Sequence, residues 1–401
     1  STARSTLSMM TGVLRIFRFS LVQRPKNLFD STKSVGQNVS KRFLSETTTP
    51  PNPKGSRMRV LILAGAVGGS IGAAYTFYKR EGLKKAILNP DGEGLPVIWK
   101  ELPNVRVSRE VVGPDRSLDI TLFQYPTCPF CCKVRAFLDF HGLSYKVVEV
   151  NPIRKTELKW SEYRKVPILV VKVDDGYIQL NDSSVIISIL QSYLLDPDYK
   201  LRNVVKFYPN IAYMGDDGNV KKEVLNKYHV MYHTSVPEGQ TNDRIANERN
   251  WRKWADNNLV HMLSPNVYRT RSEAVESFEW FSKVGEWDKN FSPWEVSSII
   301  QLGSGVMWML GKRLQKKYNL KQDVRLSLYD SCNNWLKLLK TRGTQFHGGS
   351  KPDLADLAVY GVLSSIEGCA AFADLRKNTK ISGWYESMKA SVGRHDGFLG
   401  R

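Results

Sequence analysis

Between positions 125 and 141 the chain reads Tyr125-Pro-Thr-Cys-Pro-Phe-Cys-Cys-Lys-Val-Arg-Ala-Phe-Leu-Asp-Phe-His141. The apolar run Leu118-Asp-Ile-Thr-Leu-Phe-Gln124 precedes it and has the composition of a buried strand. After the cysteines, apolar residues recur at helical spacing as far as Phe140, and Gly142 follows as a helix terminator. The sequence therefore predicts a strand, a turn and a helix, with Cys128 where the helix begins.

Strands and helices continue to alternate downstream. Strands are predicted over residues 145–150, 168–173 and 177–180, and the turn Asp174-Asp-Gly176 separates the last two. Asp182 then caps a further helix with apolar residues at helical spacing. The resulting order β-α-β-α-β-β-α is typical of thioredoxin-like folds. We predict an α/β thioredoxin-like domain of glutaredoxin type over residues 117–195.

The rest of the chain divides by composition. Residues 81–116 are rich in Gly, Pro and charge and are predicted to be a linker. Residues 196–241 are polar and irregular, with Gly215-Asp-Asp-Gly-Asn219 as the clearest loop, and are predicted to be an insertion. Residues 242–401 contain long amphipathic stretches without convincing strands, which predicts an all-α second domain.

The first eighty residues have the composition of targeting and anchoring segments. Residues 1–57 are rich in Ser, Thr and Arg, with Asp30 and Glu46 as their only acids, as in organellar presequences. A disordered cytosolic tail has a similar composition. Residues 58–80 include the uncharged run 60–78, which has about the length that a membrane-spanning helix needs. We predict one span there, with a removed targeting segment as the alternative.

Charge and cysteine content exclude two classes of protein. The formal net charge is +19, but much of the excess lies in the first sixty residues, and elsewhere basic and acidic residues are mixed. No nucleic-acid partner is therefore predicted. Of five cysteines, three crowd one segment, and Cys332 and Cys369 are isolated downstream. This pattern argues against a secreted disulfide framework and indicates a reducing compartment.

Cys128 and Cys131 are the candidate reactive thiols. A cysteine at a helix start is stabilised as a thiolate by unpaired N–H groups and the helix dipole. Cys131, one turn later, could resolve a mixed disulfide. The alternatives are an inert buried pair and a zinc half-site, but no second ligand pair accompanies it, so no metal is predicted. Cys132 lies about 100° around the helix from Cys131 and is predicted to be a bystander.

Two further segments could bind a peptide-like ligand. Pro167 precedes a predicted strand at the place where thioredoxin-like folds have a cis proline, which leaves the backbone of Val166 free to pair with an extended peptide such as glutathione. Asp182 and Ser183 open the next helix, where they could bind the ammonium and carboxylate of a γ-glutamyl group. A plain helix cap is the alternative for these two residues.

Taken together, these features resemble the type 2 family of membrane-associated prostaglandin E synthases, in the glutathione-transferase superfamily. Besides the 125–141 stretch, the resemblance rests on Lys165-Val-Pro-Ile168, Asn181-Asp-Ser-Ser184, Glu248-Arg-Asn-Trp-Arg-Lys-Trp254, Ser264-Pro-Asn-Val-Tyr-Arg269 and Lys351-Pro-Asp-Leu-Ala-Asp-Leu-Ala-Val-Tyr-Gly361. It implies a second domain of the glutathione-transferase C-terminal type, with a capping box at Asp353 and Asp356. Cys132 departs from the family, in which a small polar residue is expected there.

The resemblance implies an enzyme that isomerises prostaglandin H2 to prostaglandin E2 and binds glutathione and haem. The reaction requires loss of the proton at carbon 9 and delivery of a proton to the departing oxygen. A Cys128 thiol, hydrogen-bonded to the Tyr125 hydroxyl, would deliver that proton, with Cys131 secondary. The resemblance also implies that glutathione sulfur ligates the haem iron. Three histidines are therefore expected to be ordinary surface or helix-end residues: His141, His261 and His347.

Two other functions stay open at this point. One is a glutathione-dependent thiol-disulfide oxidoreductase, and the other is a non-catalytic haem- or glutathione-binding membrane protein. The expected partners are prostaglandin H2 or a related lipid endoperoxide, glutathione, a membrane through residues 60–78, and a second copy in a homodimer. We expect a Golgi or mitochondrial membrane anchor, with the catalytic domain in a reducing compartment, and a processed soluble form in the cytoplasm.

Overall fold

A computed structural model of the protein describes residues 98–152, 154–174, 176–214, 220–231 and 241–399. The predicted presequence (1–57) and the predicted membrane span (58–80) lie outside the described residues. Among the helices that the structure describes, none is both long enough and apolar enough to cross a membrane.

The elements of the first half surround the cysteine motif. They are β1 (Ile98–Trp99), β2 (Arg109–Val111), β3 (Ile120–Gln124), α1 (Pro129–Phe140), β4 (Tyr145–Glu149), β5 (Ile168–Val173), β6 (Gly176–Asn181), α2 (Ser183–Leu195) and α3 (Leu201–Val204).

The second half is helical after one pair of strands. Its elements are β7 (Asn210–Met214), β8 (Val220–Val224), α4 (Asn242–Trp254), α5 (Val260–Val267), α6 (Arg271–Val284), α7 (Trp287–Asn290), α8 (Pro293–Ser298), α9 (Ser304–Lys317), α10 (Val324–Arg342), α11 (Leu354–Ser364), α12 (Ala370–Asn378) and α13 (Ile381–Gly393). Two π-helical turns, Ala255–Leu259 and Ile299–Gly303, join α4 to α5 and α8 to α9.

The mixed sheet has the strand order β1-β6-β5-β3-β4-β2. Strand β3 runs parallel to β4 and antiparallel to β5, with Phe123 opposite Ile168. Side chains of successive strand residues point to opposite faces, so each face has its own core. Leu122 belongs to the core that α1 and α2 cover, and Phe123 packs with Cys131 in the other. The predicted thioredoxin-like domain followed by an all-α domain is confirmed.

The sheet differs from the predicted pattern in two places. The order β-α-β-α-β-β-α requires a helix between β4 and β5, but the described chain has only the short 3₁₀ turn Thr156–Leu158 there. The predicted linker 81–116 supplies both edge strands, β1 and β2. Neither strand is long enough to show a period-2 hydrophobic pattern, which is why the sequence did not reveal them.

The helical region packs directly on α1. Gly361 of α11 makes this approach possible, because a Cβ atom there would lie 2.5 Å from the Lys133 Cα. The capping box predicted at Asp353 and Asp356 is present at the start of α11. The strands β7 and β8 pair with each other, and residues 210–214 and 220–223 belong to a compact unit other than the one that contains the six-stranded sheet and the helices. These strands lie in the range predicted as an irregular insertion, and the predicted loop 215–219 lies outside the described residues.

Candidate functional site

A cavity of about 470 Å³ lies where the turn before α1 meets the helical region; we call it the thiol cavity. Tyr125, Cys128 and Val166 contribute to its wall on the thioredoxin-like side. The helical side is largely apolar and includes Leu263, Val267, Tyr268, Phe278, Phe281, Trp287, Phe291, Ile299, Met307 and Leu314. The other predicted site residues, Cys131, Pro167, Asp182 and Ser183, do not line this cavity.

Cys128 is the N-cap residue of α1, with extended backbone angles, and Pro129 is the first helical residue. A proline suits this position because its fixed φ is helical and the first N–H of a helix has no intrahelical partner. The backbone N–H of Cys128 donates to the Tyr125 carbonyl at 3.2 Å, which closes the turn that follows β3. The sequence therefore fixes the thiol at the positive end of the helix, as predicted.

The pKa of the Cys128 thiol is lowered, chiefly by a hydrogen bond from the Cys131 side chain. Burial opposes this shift, while the backbone N–H groups of Cys131 and Phe130 and the charge of Arg135 add to it. Cys131 is fully buried, and burial, followed by its bond with Cys128, raises its own pKa. The pair therefore holds its negative charge on Cys128 and its proton on Cys131.

Tyr125 lines the thiol cavity beside Cys128. Burial, and then the nearby charges of Cys128 and Cys131, raise the pKa of the Tyr125 hydroxyl, so it stays protonated. The hydrogen bond described between Tyr125 and Cys128 is the backbone one given above. A bond between the tyrosine hydroxyl and the Cys128 sulfur stays a prediction.

That Cys132 is a bystander to the thiol chemistry stays a prediction, but this residue makes structural contacts. It is buried, and its thiol donates to the Pro126 carbonyl at 3.4 Å. The Arg135 guanidinium donates to the Cys132 sulfur at 3.1 Å and to the same carbonyl at 2.7 Å. These bonds tie α1 to the turn that carries Cys128. Arg135 was not predicted from the sequence, although its position one helical turn after Cys131 was a usable signal.

The Val166–Pro167 peptide bond is cis, as predicted. Val166 precedes β5 and lines the thiol cavity, and no described residue forms a hydrogen bond with its backbone. Its N–H and carbonyl groups can therefore pair with an extended ligand, which is the arrangement predicted for glutathione. Burial raises the pKa of the Tyr163 hydroxyl, and the nearby charges of Asp182 and Cys128 raise it further.

Asp182 and Ser183 stand at the start of α2 as predicted, but each already has a partner. Asp182 has a positive φ of 69° and caps the helix by accepting from the Ser184 N–H at 3.0 Å. Its second oxygen accepts from the Lys227 ammonium at 2.7 Å. Ser183 is buried, and its hydroxyl accepts from the Lys133 ammonium at 3.3 Å. A ligand ammonium would therefore share Asp182 with Lys227.

A buried charged network behind α1 was not predicted. The Lys133 ammonium is ion-paired with Asp256 and donates to the Ser184 hydroxyl at 2.9 Å. Asp256 also accepts from the hydroxyls of Ser184 at 2.6 Å and Tyr228 at 2.9 Å. Burial lowers the pKa of the Lys133 ammonium. At Asp256, burial alone would raise the pKa of the carboxyl group, but the charges of Lys133 and Lys227 outweigh it and lower that pKa. Lys133 and Asp256 therefore form an ion pair inside this buried network.

The expectation that three histidines are ordinary surface or helix-end residues holds for one of them. His141 is the C-cap residue of α1. His347 is wrongly predicted, because it is buried and hydrogen-bonded to Asp353 at 2.6 Å. His261 is also wrongly predicted, because it lines the thiol cavity and stacks on Tyr318 at 4.3 Å between ring centres. Sequence gives no signal for these positions because the fold, not local spacing, determines them.

A helix-start thiol beside a cis proline, on a sheet of this order, defines the chain as a glutathione-transferase-like protein. The family model described as "Glutathione S-transferase, N-terminal domain" matches residues 122–193. Prostaglandin E synthase 2 of Mus musculus is 46% identical over 278 residues, which cover 69% of this chain and 71% of that protein. The Danio rerio protein of the same name is 46% identical over 280 residues, with coverage of 69% and 72%. The chain belongs to the prostaglandin E synthase 2 family.

Solved glutathione transferases are more distant. A glutathione S-transferase from Rhodospirillum rubrum F11 is 16% identical, with a TM-score of 0.39 over 68% of this chain and 90% of that one. Glutathione S-transferase III in its apo form is 12% identical, with a TM-score of 0.38 over 71% and 98% of the two chains.

Among the described residues of the present chain, no group of three or more His, Cys, Asp or Glu side chains could hold a metal ion.

Proposed function

We propose that this enzyme isomerises prostaglandin H2 to prostaglandin E2 in the thiol cavity, with Cys128 as the group that moves the proton. The observation that carries the proposal is the position of Cys128: a thiol of lowered pKa in the wall of a largely apolar cavity. An apolar cavity with one polarised group suits a lipid that carries a single reactive centre. The names of the relatives agree with this reaction.

The reaction transfers one proton within the substrate. The Cys128 thiolate removes the proton from carbon 9, and the electrons of that C–H bond form the carbonyl at carbon 9. The O–O bond breaks, its electron pair stays on the oxygen of carbon 11, and the new thiol at Cys128 returns the proton to that oxygen. A sulfur whose pKa is lowered from its usual value ionises more readily near neutral pH, so Cys128 can perform both steps. Tyr125, protonated in the same wall, is positioned to donate a hydrogen bond to the developing alkoxide.

Glutathione is the proposed cofactor on the thioredoxin-like side. The backbone of Val166 would pair with its cysteinyl residue, and the start of α2 would bind its γ-glutamyl group. The free backbone at Val166 fits this assignment. Asp182 fits as well, because its side chain is 35% exposed: one oxygen caps α2, and the other, which accepts from Lys227, is the one that a ligand ammonium would share. Bound glutathione would supply a second thiol within reach of the cavity.

Haem is the second proposed cofactor. Glutathione sulfur would ligate its iron, so this chain need only supply the apolar wall and polar groups at the rim. The wall residues Phe278, Phe281 and Trp287 fit a flat aromatic group. His261 lies in the same wall, so the role of this histidine has to be tested together with that of glutathione.

The decisive experiment compares the products formed from prostaglandin H2 by the wild type and by Cys128→Ser and Cys131→Ser. Cys128→Ser should abolish prostaglandin E2 formation above the spontaneous rate, whereas Cys131→Ser should retain a substantial part of it. Circular dichroism on each variant confirms folding. Equal activity of all three proteins would refute the assignment of Cys128.

A thiol-disulfide oxidoreductase is the second candidate, favoured by the hydrogen bond between the Cys128 and Cys131 side chains. In that reaction Cys128 attacks a substrate disulfide and Cys131 then attacks the resulting mixed disulfide, so replacing Cys131 would stop turnover of an intramolecular disulfide substrate. An assay with a substrate that contains an intramolecular disulfide separates the two functions, because isomerisation does not require Cys131 to react.

We also propose the organisation expected from sequence: a membrane anchor at residues 60–78, a homodimer, and a catalytic region that faces a reducing compartment. Sequence composition supports the anchor, and the five free cysteines support a reducing compartment. Flotation on vesicles and light scattering of the full chain test the anchor and the dimer.

A further inference from the structure

Arg154 is the only lysine or arginine among the described residues that line the thiol cavity. It lies in the segment that connects β4 to β5, on the thioredoxin-like side of the cavity. Its side chain is 57% exposed, so it stands at the solvent end of the cavity and not in its apolar depth.

The Arg154 guanidinium reaches across to the helical region. It donates to the Glu295 carboxylate at 2.8 Å. Glu295 belongs to α8, where its other oxygen accepts from the N–H and hydroxyl of Ser292, both at 2.9 Å, in a capping box. Glu295 is therefore held by the helix, whereas the Arg154 side chain is largely exposed. An ion pair at the protein surface contributes little stability. Replacing the Glu295 carboxylate by the carboxylate of a ligand therefore costs little free energy.

The other charged groups of the cavity do not offer a site for an anion. Glu149 accepts from Arg109 at 2.7 Å and from Gln124 at 2.9 Å. Glu157 accepts from the Asn151 N–H and the Thr156 hydroxyl. Burial lowers the pKa of His261, so this histidine is neutral near pH 7. The cavity thus combines an apolar interior with a single permanent cation at its mouth.

We propose that Arg154 binds the carboxylate of the lipid endoperoxide, leaving Glu295 as the substrate enters. This inference rests on the proposed isomerase function and adds to it the residue that recognises the acid end of the substrate. The fatty-acid chain lies along the apolar wall, the endoperoxide meets Cys128, and the carboxylate is held at the rim. A guanidinium is suited to this because it binds a carboxylate through two parallel N–H groups.

Glutathione also carries a carboxylate, on its glycine. Glu295 of α8 leads through the π-helical turn to Ile299 and Gly303, which line the apolar side of the cavity. The contact with Glu295 therefore directs the guanidinium toward the helical region, where the lipid would lie. The experiment must still separate the two carboxylates.

The test measures KM and kcat of the full-length protein with prostaglandin H2 and with its methyl ester. Arg154→Gln should raise the KM for the acid about fivefold to tenfold with little change in kcat, because an exposed charge-assisted contact is lost. It should leave the KM for the ester unchanged. Glu295→Gln, which removes the competing carboxylate, should lower the KM for the acid about twofold.

Lys159→Gln is the matched control, since Lys159 is an exposed cation of the same connection and does not line the cavity. It should change neither substrate's KM. Arg154→Lys, which keeps the charge, should retain most of the preference for the acid. This variant keeps the test informative if Arg154→Gln folds poorly.

A second measurement does not depend on catalysis. Arachidonic acid and its methyl ester are titrated against intrinsic tryptophan fluorescence, and glutathione is titrated by calorimetry. Weaker binding of the acid alone in Arg154→Gln supports the proposal, even if the wild type forms no prostaglandin E2 and the proposed function fails. Equal weakening of acid and ester, no change for either, or a loss confined to glutathione would overturn it.

Discussion

Lys133, on the helix that Cys128 begins, is ion-paired with Asp256 in the π-helical turn after α4, and both side chains are buried. A π-helical turn contains one residue more than an α-helical turn, which changes the direction of the side chains that follow. This extra residue brings a carboxylate of the helical region to the back of α1. The reactive helix is thereby fixed by a charged contact as well as by apolar packing.

Breaking this ion pair should destabilise the protein strongly. Lys133→Met leaves Asp256 charged and buried with only hydroxyl partners, which should cost about 3 to 5 kcal/mol of unfolding free energy. Urea unfolding followed by circular dichroism measures the loss. In the double variant Lys133→Met/Asp256→Leu no charge is left unpaired, so part of the stability should return. An unfolding midpoint of the single variant equal to that of the wild type would contradict the buried pairing.

The reactivity of Cys128 should depend on its neighbour. Cys131→Ala removes the hydrogen bond that contributes most to lowering the Cys128 pKa. The thiolate should then form at higher pH, and the pH profiles of alkylation and of isomerase activity should both move upward. Iodoacetamide labelling of Cys128, followed by mass spectrometry across pH 5 to 9, measures the shift. Cys369→Ala is the control, since that buried thiol lies at the start of α12, outside the site. An unchanged profile in Cys131→Ala would contradict the assigned hydrogen bond.

Asp182 provides a separate test of glutathione binding. Asp182→Asn keeps the oxygen that caps α2 but removes the charge, so stability should change little. Glutathione affinity should fall about tenfold to a hundredfold, as expected for loss of a charge-assisted contact. If glutathione sulfur ligates the haem iron, the Soret titration should weaken in parallel.

The matched variant is Lys227→Met, which removes the present partner of Asp182 and leaves its carboxylate intact. This change should preserve or strengthen glutathione binding. Haem binding that persists in Asp182→Asn after glutathione binding is lost would show that the protein supplies its own iron ligand, and His261 would be the first residue to replace.

Two glycine substitutions should act in opposite directions. Gly361→Ala places a Cβ atom 2.5 Å from the Lys133 Cα, so α11 must move away from α1, at a cost of about 1 to 3 kcal/mol. Gly383→Ala in α13 has no neighbour within 4 Å, and alanine favours the helix, which should stabilise the protein by about 0.5 to 1 kcal/mol. Thermal unfolding of both variants tests the close approach, and similar effects of the two changes would argue against it.

The sequence predicted the parts of the site that depend on local chain direction. Cys128 at the start of α1, Pro167 before β5 and Asp182 as the cap of α2 follow from turn, proline and capping preferences, which act over a few residues. The same rules identified the capping box of Asp353 and Asp356.

The rest of the site depends on contacts between distant segments. Lys133 and Asp256 are 123 positions apart, and in sequence each reads as an ordinary surface charge on a helix. Arg154 and Glu295 are 141 positions apart, so no local pattern relates them. Local spacing predicts which side chains share a helix face, but it does not predict which distant helix packs there.

The two edge strands of the sheet have a consequence for handling the protein. β1 has two residues and β2 has three, and they cover the edges of the longer strands β6 and β4. A fragment that began at the first predicted strand, near Leu118, would lack both and would expose rows of unpaired N–H and carbonyl groups. Such open edges promote pairing between molecules. The two short strands between residues 98 and 111 therefore protect the catalytic domain from aggregation.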